Sequence, residues 1–254
     1  MLLEHDAGEY GRNIADDYDA IYGEAFDTDA AVDCLAELAR GGDVLELGVG
    51  TGRLALPLAQ RGLAVHGVDG SESMLRLLAA KPGGDAIATT LGDFSEVRVE
   101  PSGRFALVVL AINTIFALDP EAKLRCFETA AYHLRPNGRF VVEAWVPPHL
   151  PAGQSLQPRA VSPGYAGIVV ADHDPSTQTL ATTQIVLGGP ARVHVFPVVH
   201  QYAYPFELDL MARLAGMTLE SRWADWHRRP FGPTSTDHVS VYRTDEVQRA
   251  LLVS

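Results

Sequence analysis

The sequence predicts an α/β protein built on a doubly wound, mostly parallel sheet, and three observations predict it. Short apolar runs alternate with segments of helical spacing over residues 43–145. The run at 105–111 is almost wholly apolar, as a strand covered on both faces must be. A glycine-rich turn, Gly48-Val49-Gly50-Thr51-Gly52, joins the first apolar run to the helix after it.

Residues 31–40 carry Val32, Leu35, Leu38 and Ala39 at helical spacing and stop at Gly41-Gly42. A strand is expected at 43–47, a helix at 53–61 and a second strand at 64–68. Ser71 is a capping residue for a helix reaching about Ala80, with Glu72 in its first turn. Strands at 86–91 and 105–111 follow, then a helix at 120–134 that the turn signal Pro136-Asn137-Gly138 ends, then a strand at 140–145. Past Pro147 the rhythm changes to strand-like runs broken by turn chemistry, with hairpins expected at Asp174-Pro175-Ser176 and Gly188-Gly189-Pro190. A helix at 206–215 and strands at 218–226 and 238–243 then resume. The expectation is one domain over 1–254, with 147–204 a β insertion over the active site or at a dimer interface, and 1–28 an N-terminal helical lid.

The 254 residues carry a formal net charge of -12. A field of that sign opposes phosphate backbones and anionic lipid, so nucleic acid and membrane surfaces are poor partners. A small molecule or peptide is the expected partner, with a homodimer left open. Charge by the fourth residue and the lack of any run near ~20 apolar residues give a cytoplasmic expectation. Cys34 and Cys126 fall in helical patterns and read as small buried hydrophobes rather than a disulfide. No Cys/His cluster has metal-ligand spacing.

Function is carried by "VLELGVGTG". Its spacing is E-x-G-x-G-x-G rather than the G-x-G-x-x-G of dinucleotide folds. Glycines 48, 50 and 52 let the backbone turn and a ligand approach, while Glu46 beside them suits an ammonium group better than a pyrophosphate. In "VHGVDGS", Asp69 followed by Gly70 closes the second strand, where a carboxylate can accept from a ribose diol. In "LGDF", Asp93 and Phe94 follow the third strand, where a carboxylate can accept from an adenine amino group. Together these describe a nucleoside bearing an amino acid, S-adenosylmethionine.

On these residues the chain resembles the class I S-adenosylmethionine-dependent methyltransferases, whose fold is Rossmann-like. The resemblance implies a seven-stranded sheet of order 3-2-1-4-5-7-6 with only the seventh strand antiparallel. It implies that Glu46 and the glycine turn hold the methionine portion, that Asp69 binds the ribose, that Met74 packs on adenine, and that Asp93 with the Phe94 amide reads the adenine edge. Ala111 to Asn113 would face the sulfonium and the acceptor. "NTIF", "HLRPNGRF", "FVVEAWVP" and the β insertion are similar to methyltransferases of bacterial specialised metabolism, among them N-methyltransferases of amino sugars and linear peptides. An N or O atom of a small-molecule or peptide acceptor is therefore expected to be methylated.

Cationic sulfonium and apolar acceptors favour aromatic walls. Tyr18 and Tyr22 share a helix face in "YDAIY"; they read as a lid over cofactor and acceptor, or as a stripe packed on the core. Period-two alternation places His194, Phe196, Val198, His200, Tyr202 and Tyr204 on one face of a strand. His200 is the candidate general base, with a hydrogen-bonded structural histidine as the other reading. The opposite face is apolar too, so this strand is expected to be buried on both sides or to meet a partner subunit. Trp145, His149, Tyr202, Trp226 and His227, with Asn113, are the candidate acceptor contacts. Arg228-Arg229 could hold an acidic acceptor or form a solvated loop. His133 is expected to serve a helix dipole, while His5, His66 and His173 look incidental. The rival functions are an NAD-dependent oxidoreductase on the same fold and a non-catalytic scaffold that keeps the cofactor for stability.

Overall fold

The structure, a computed structural model, describes residues 26–162, 165–188 and 192–244. They divide into two compact units, one within Met1–Val146 and Tyr204–Ser254, the other within Pro147–Ala203. Among the described residues no helix is long and apolar enough to cross a membrane.

In the first unit, α1 (Thr28–Ala39) precedes β1 (Val44–Leu47), α2 (Ala55–Gln60), β2 (Val65–Asp69), α3 (Glu72–Ala80), β3 (Ala88–Leu91) and β4 (Phe105–Leu110). Then come α4 (Pro120–His133) and β5 (Leu134–Trp145), and after the second unit α5 (Pro205–Leu214), β10 (Met217–Trp223) and β11 (Asp237–Thr244). The sheet order is β10-β11-β5-β4-β1-β2-β3. Strands β3, β2, β1, β4 and β5 run parallel, while β11 is antiparallel to both β5 and β10. Counting β10 and β11 as sixth and seventh, this is the 3-2-1-4-5-7-6 order that the resemblance implies.

Helix α1 starts earlier than its apolar spacing predicts because the Asp27 carboxylate caps it, accepting from the Ala30 amide at 3.1 Å. Ser71 caps α3 as expected. The stop at Pro136-Asn137-Gly138 works differently from the expectation. Helix α4 passes straight into β5, and the turn is absorbed as an irregularity between the Phe105↔Leu134 and Leu107↔Arg139 pairs, with Asn137 left-handed. Strands β1 and β4 are buried along their whole length. Phe127 of α4 packs edge-on against Phe140 and Tyr242, with ring centroids 5.1 and 5.5 Å apart. Cys34 and Cys126 are buried thiols on α1 and α4.

The second unit is an antiparallel meander of β6 (Gly153–Ser162), β7 (Tyr165–Asp174), β8 (Thr179–Gly188) and β9 (Arg192–Gln201). At the β7–β8 turn, Asp174 accepts from the Ser176 amide and hydroxyl at 2.9 and 2.6 Å, the side-chain mimic of a backbone turn. Register aligns Leu156, Val170, Thr183 and Pro197 across the four strands, so Val193, Val195 and Val199 share their face. On it Leu156, Val193 and Val195 are 67%, 61% and 57% exposed. Strand β9 is therefore not buried on both sides within one chain. Nor does the aromatic row run on to Tyr204, because β9 ends at Gln201 and Tyr204 caps α5 instead.

Candidate active site

Two backbone bonds, from Gly48 and Val49 to the Val68 carbonyl, at 2.8 and 2.9 Å, fold the chain sharply after β1. Gly48 has φ +71°, and a β-carbon there would lie 2.9 Å from the Thr114 methyl, so the turn and the β4 loop pack too closely for a side chain. Gly50 also has positive φ, but no atom lies within 4 Å of where its β-carbon would be; this is the open side of the turn. Its amide donates to Asp69 Oδ2 at 2.8 Å, while the Ser71 amide donates to Oδ1 at 2.8 Å. One carboxylate thus ties the glycine turn to the start of α3. Burial pushes its pKa up, and the two amides pull it back.

Glu46 is 5% exposed and its Oε2 has no hydrogen-bond partner among the described residues. Burial drives its pKa to about 8, against the opposing pull of Arg53 and the Ala55 amide. An unpartnered carboxylate oxygen inside a protein asks for a cation, and an amino-acid ammonium beside the open glycine turn meets that need. Past β3, Asp93 accepts from the Ser95 amide at 2.8 Å through one oxygen only, and Phe94 and Met74 are buried. The donor set fits S-adenosylmethionine.

At the end of β4, Ile112 and Asn113 have φ of 49° and 60°. Two successive left-handed residues, one of them β-branched, are strained by roughly 1–3 kcal/mol each. Glu143 on β5 holds them. Its Oε2 accepts from the Ile112 amide at 3.0 Å and its Oε1 from the Trp226 indole at 2.6 Å. Its own carbonyl accepts from the Asn113 amide at 3.1 Å, and Asn113 Oδ1 accepts from the Trp145 amide at 2.6 Å. Trp145 in turn packs edge-on against Phe116 at 4.7 Å. A cleft of about 710 Å³ opens here, lined by Asn113, Glu143, Trp226, Thr236 and His238 among others.

Sequence reasoning had brought Asn113, Trp145 and Trp226 to this region but missed Glu143 and His238. Glu143 is the single charge in the run "FVVEAWVP", and that was the signal available. Other expectations change. His227 sits at the surface, bonded to Asp27 at 2.8 Å, and Arg228 and Arg229 are paired with Glu37 and Asp225 of the same chain rather than left for an acidic acceptor. Tyr202 is buried, its hydroxyl 2.9 Å from His173 Nε2, so His173 is a built contact rather than incidental. His66 likewise meets Thr90 Oγ1 at 2.8 Å. His133 accepts the Val99 amide on Nε2 at 2.8 Å and faces the Thr129 carbonyl through Nδ1, which makes it a neutral core histidine and no cation for a helix dipole. His149 is exposed, and His200 is half-buried on β9 of the second unit. Tyr18, Tyr22 and the 1–25 portion of the expected lid lie outside the described residues.

Residues 44–138 match the family described as "Methyltransferase domain". The chain is 27% identical over 205 residues to the cypemycin N-terminal methyltransferase of Streptomyces sp., covering 79% of this chain and 82% of that protein. The solved structure of the CcbJ methyltransferase from Streptomyces caelestis matches with a TM-score of 0.87 at 40% identity, covering 94% of this chain and 99% of that one. The S-adenosylmethionine-bound CalS10, an amino pentose methyltransferase from Micromonospora echinaspora, shares the fold at a TM-score of 0.70 and 19% identity, over 90% of this chain and 96% of that one.

Two outcomes follow from this geometry. Burial lifts the Glu46 pKa in the folded protein to about 8 from an ordinary 4.5, so the folded protein binds the extra proton between those limits and loses stability as pH rises through them. Glu46→Gln removes that loss: its apoprotein gains on the parent from pH 6 to pH 9, on the order of 3 kcal/mol at the top, and equal melting curves at pH 9 would refute the burial cost. Glu143→Ala strands the Trp226 and Ile112 donors and lowers stability by about 2–4 kcal/mol. A urea midpoint unchanged from the parent would show that the Ile112-Asn113 turn holds itself.

Proposed function

Because this chain belongs to the S-adenosylmethionine-dependent methyltransferases, we propose that it methylates an N or O atom of a small natural product or peptide in bacterial specialised metabolism. The observation that carries the reading is Glu46, a buried acid with one oxygen unmatched beside the open glycine turn. A pyrophosphate, as an NAD-dependent oxidoreductase would place over such a turn, supplies no cation for that carboxyl group. The names of the relatives favour nitrogen, since one acts on a peptide N-terminus and another on an amino pentose.

When bound, the cofactor supplies a methyl carbon activated by a sulfonium. The residues of this chain bind and align. Glu46 takes the ammonium, and Asp69, already fixed by two amides, spends its remaining lone pairs on the ribose hydroxyls. Gly70 keeps the chain clear of the sugar. Met74 and Phe94 flank the adenine, with Asp93 and the Phe94 amide at its edge. Ala111 and Asn113 border the reacting carbon, and Trp145 and Trp226 form walls for the acceptor. Fixed alignment alone can remove several kcal/mol of the barrier.

A second reading concerns assembly. The apolar face of the second unit, with Leu156, Val170, Val193, Val195 and Val199 exposed, suits a second copy of this chain. Four strands about 4.8 Å apart give a face of several hundred Å², near the ~800 Å² per partner of a stable interface.

The function is tested by offering S-adenosylmethionine with glucosamine, trialanine or tyramine and following S-adenosylhomocysteine release with a gain of one methylene in product mass. Turnover of any of them supports the reading; tight NAD binding without S-adenosylmethionine binding overturns it. Asp69→Ala weakens cofactor affinity by roughly 1.5–3 kcal/mol in calorimetry, and an unaltered affinity would remove Asp69 from the ribose. Sedimentation is expected to give a dimer that Val195→Glu converts to monomer; a monomeric parent at tens of micromolar disposes of the interface.

A further inference from the structure

His238, the second residue of β11, is fully buried, yet its Nε2 has no hydrogen-bond partner among the described residues. It also lines the cleft that Asn113, Glu143 and Trp226 border. Its other nitrogen, Nδ1, lies 2.9 Å from Ser240 Oγ. The proton's position follows from the neighbours. Ser240 Oγ already accepts from Arg222 Nε at 2.8 Å. Tyr242 donates to Asp209 Oδ1 at 3.0 Å, and Asp209 is paired with Arg222. The ring is best satisfied with its proton on Nδ1, facing Ser240, and a lone pair on Nε2. The alternative leaves an unmatched N–H inside the protein, the rarer and costlier fault.

We propose that His238 Nε2 is an acceptor-contacting atom, receiving a hydrogen bond from the N–H or O–H of the group to be methylated. This rests on the methyltransferase reading and narrows it to a nucleophile that still bears hydrogen. Burial and the adjacent Arg222 charge hold the imidazole far below its ordinary pKa, to about 3. It therefore stays neutral and orients rather than removes the proton. For an amine, the nitrogen lone pair forms the new N–C bond as the C–S pair leaves with sulfur. The hydrogen stays on nitrogen and is lost to water after release.

The test uses protein with ¹⁵N-labelled histidine, loaded with S-adenosylhomocysteine. Long-range ¹H–¹⁵N spectra are expected to show His238 as the Nδ1–H tautomer down to pH 5, with its Nε2 signal moving when glucosamine, trialanine or tyramine, whichever is turned over, is added. In parallel, His238→Asn keeps a group facing Ser240 but withdraws the Nε2 acceptor, and His238→Gln restores an oxygen near that place. The Asn variant is expected to lose 10–100-fold in acceptor kcat/KM with cofactor affinity unchanged, and the Gln variant to regain part of it. An Nε2–H tautomer, a signal that stays put while an acceptor is turned over, or equal losses in both variants overturns the contact and leaves the methyltransferase reading standing. Absence of turnover with every probe, with no shift of the His238 signal, ends both.

Discussion

The candidate site depends on the placement of carboxylates at the carboxyl edge of a sheet whose interior is otherwise apolar. Glu46, Asp69 and Glu143 stand at or near the ends of β1, β2 and β5. Each lies in or beside backbone that could not hold its shape unaided. Asp69 joins the Gly50 and Ser71 amides, and Glu143 joins the Ile112 amide to the Trp226 indole. A carboxylate is acceptor-only when ionised, with about four lone-pair sites, so one side chain can draw several donors to one point. That is how a turn of glycines and a left-handed isoleucine are kept in register with rigid strands.

The fold has used their accepting capacity unequally. Glu143 accepts one donor on each oxygen, the Ile112 amide and the Trp226 indole. Asp69 is engaged to the same extent, once on each oxygen by the Gly50 and Ser71 amides. Glu46 keeps one oxygen wholly unmatched, at an energetic cost visible in its raised pKa. A fold does not gain stability from such a group, and a bound cation relieves it. The contrast between Glu46 and the other two separates a group left for a ligand from groups the fold already uses, a distinction that residue type alone would merge.

The parallel sheet was legible in the sequence because its strands are short apolar runs with glycine and capping punctuation between them. The residues proposed for the cofactor could be read as a group because Glu46, the glycines, Asp69 and Asp93 each lie near the end of a strand or just past it, so chain order nearly equals spatial order. The acceptor side was not. Ile112, Glu143 and Trp226 meet from positions 31 and 83 residues apart, and no local pattern announces such a junction. The histidines misled for a related reason. Alternation in β9 fixes which side chains share a face, but not where the strand stops, and it stops before Tyr202. His133 and His173 are decided by what donates to their rings, which depends on the distant Val99 and Tyr202.

The register of β5 and β11 gives the last step. Val239 pairs with Glu143 and His238 with Ala144, so strand alternation sends Glu143 and His238 to opposite faces of the sheet. On Glu143's side lie Trp226 and the α1 layer; on the other lie Ser240, Tyr242 and Asp209. Both residues nevertheless line the same cleft. Polar atoms thus arrive there from two separately built networks. One is closed, each oxygen of Glu143 holding a donor. The other runs from Asp209 through Arg222 to Ser240 and ends at His238, whose Nε2 has no partner among the described residues. A cleft that meets one finished network and one open-ended network is asymmetric in what it can bind: the unfilled demand is for a hydrogen-bond donor, on the His238 side.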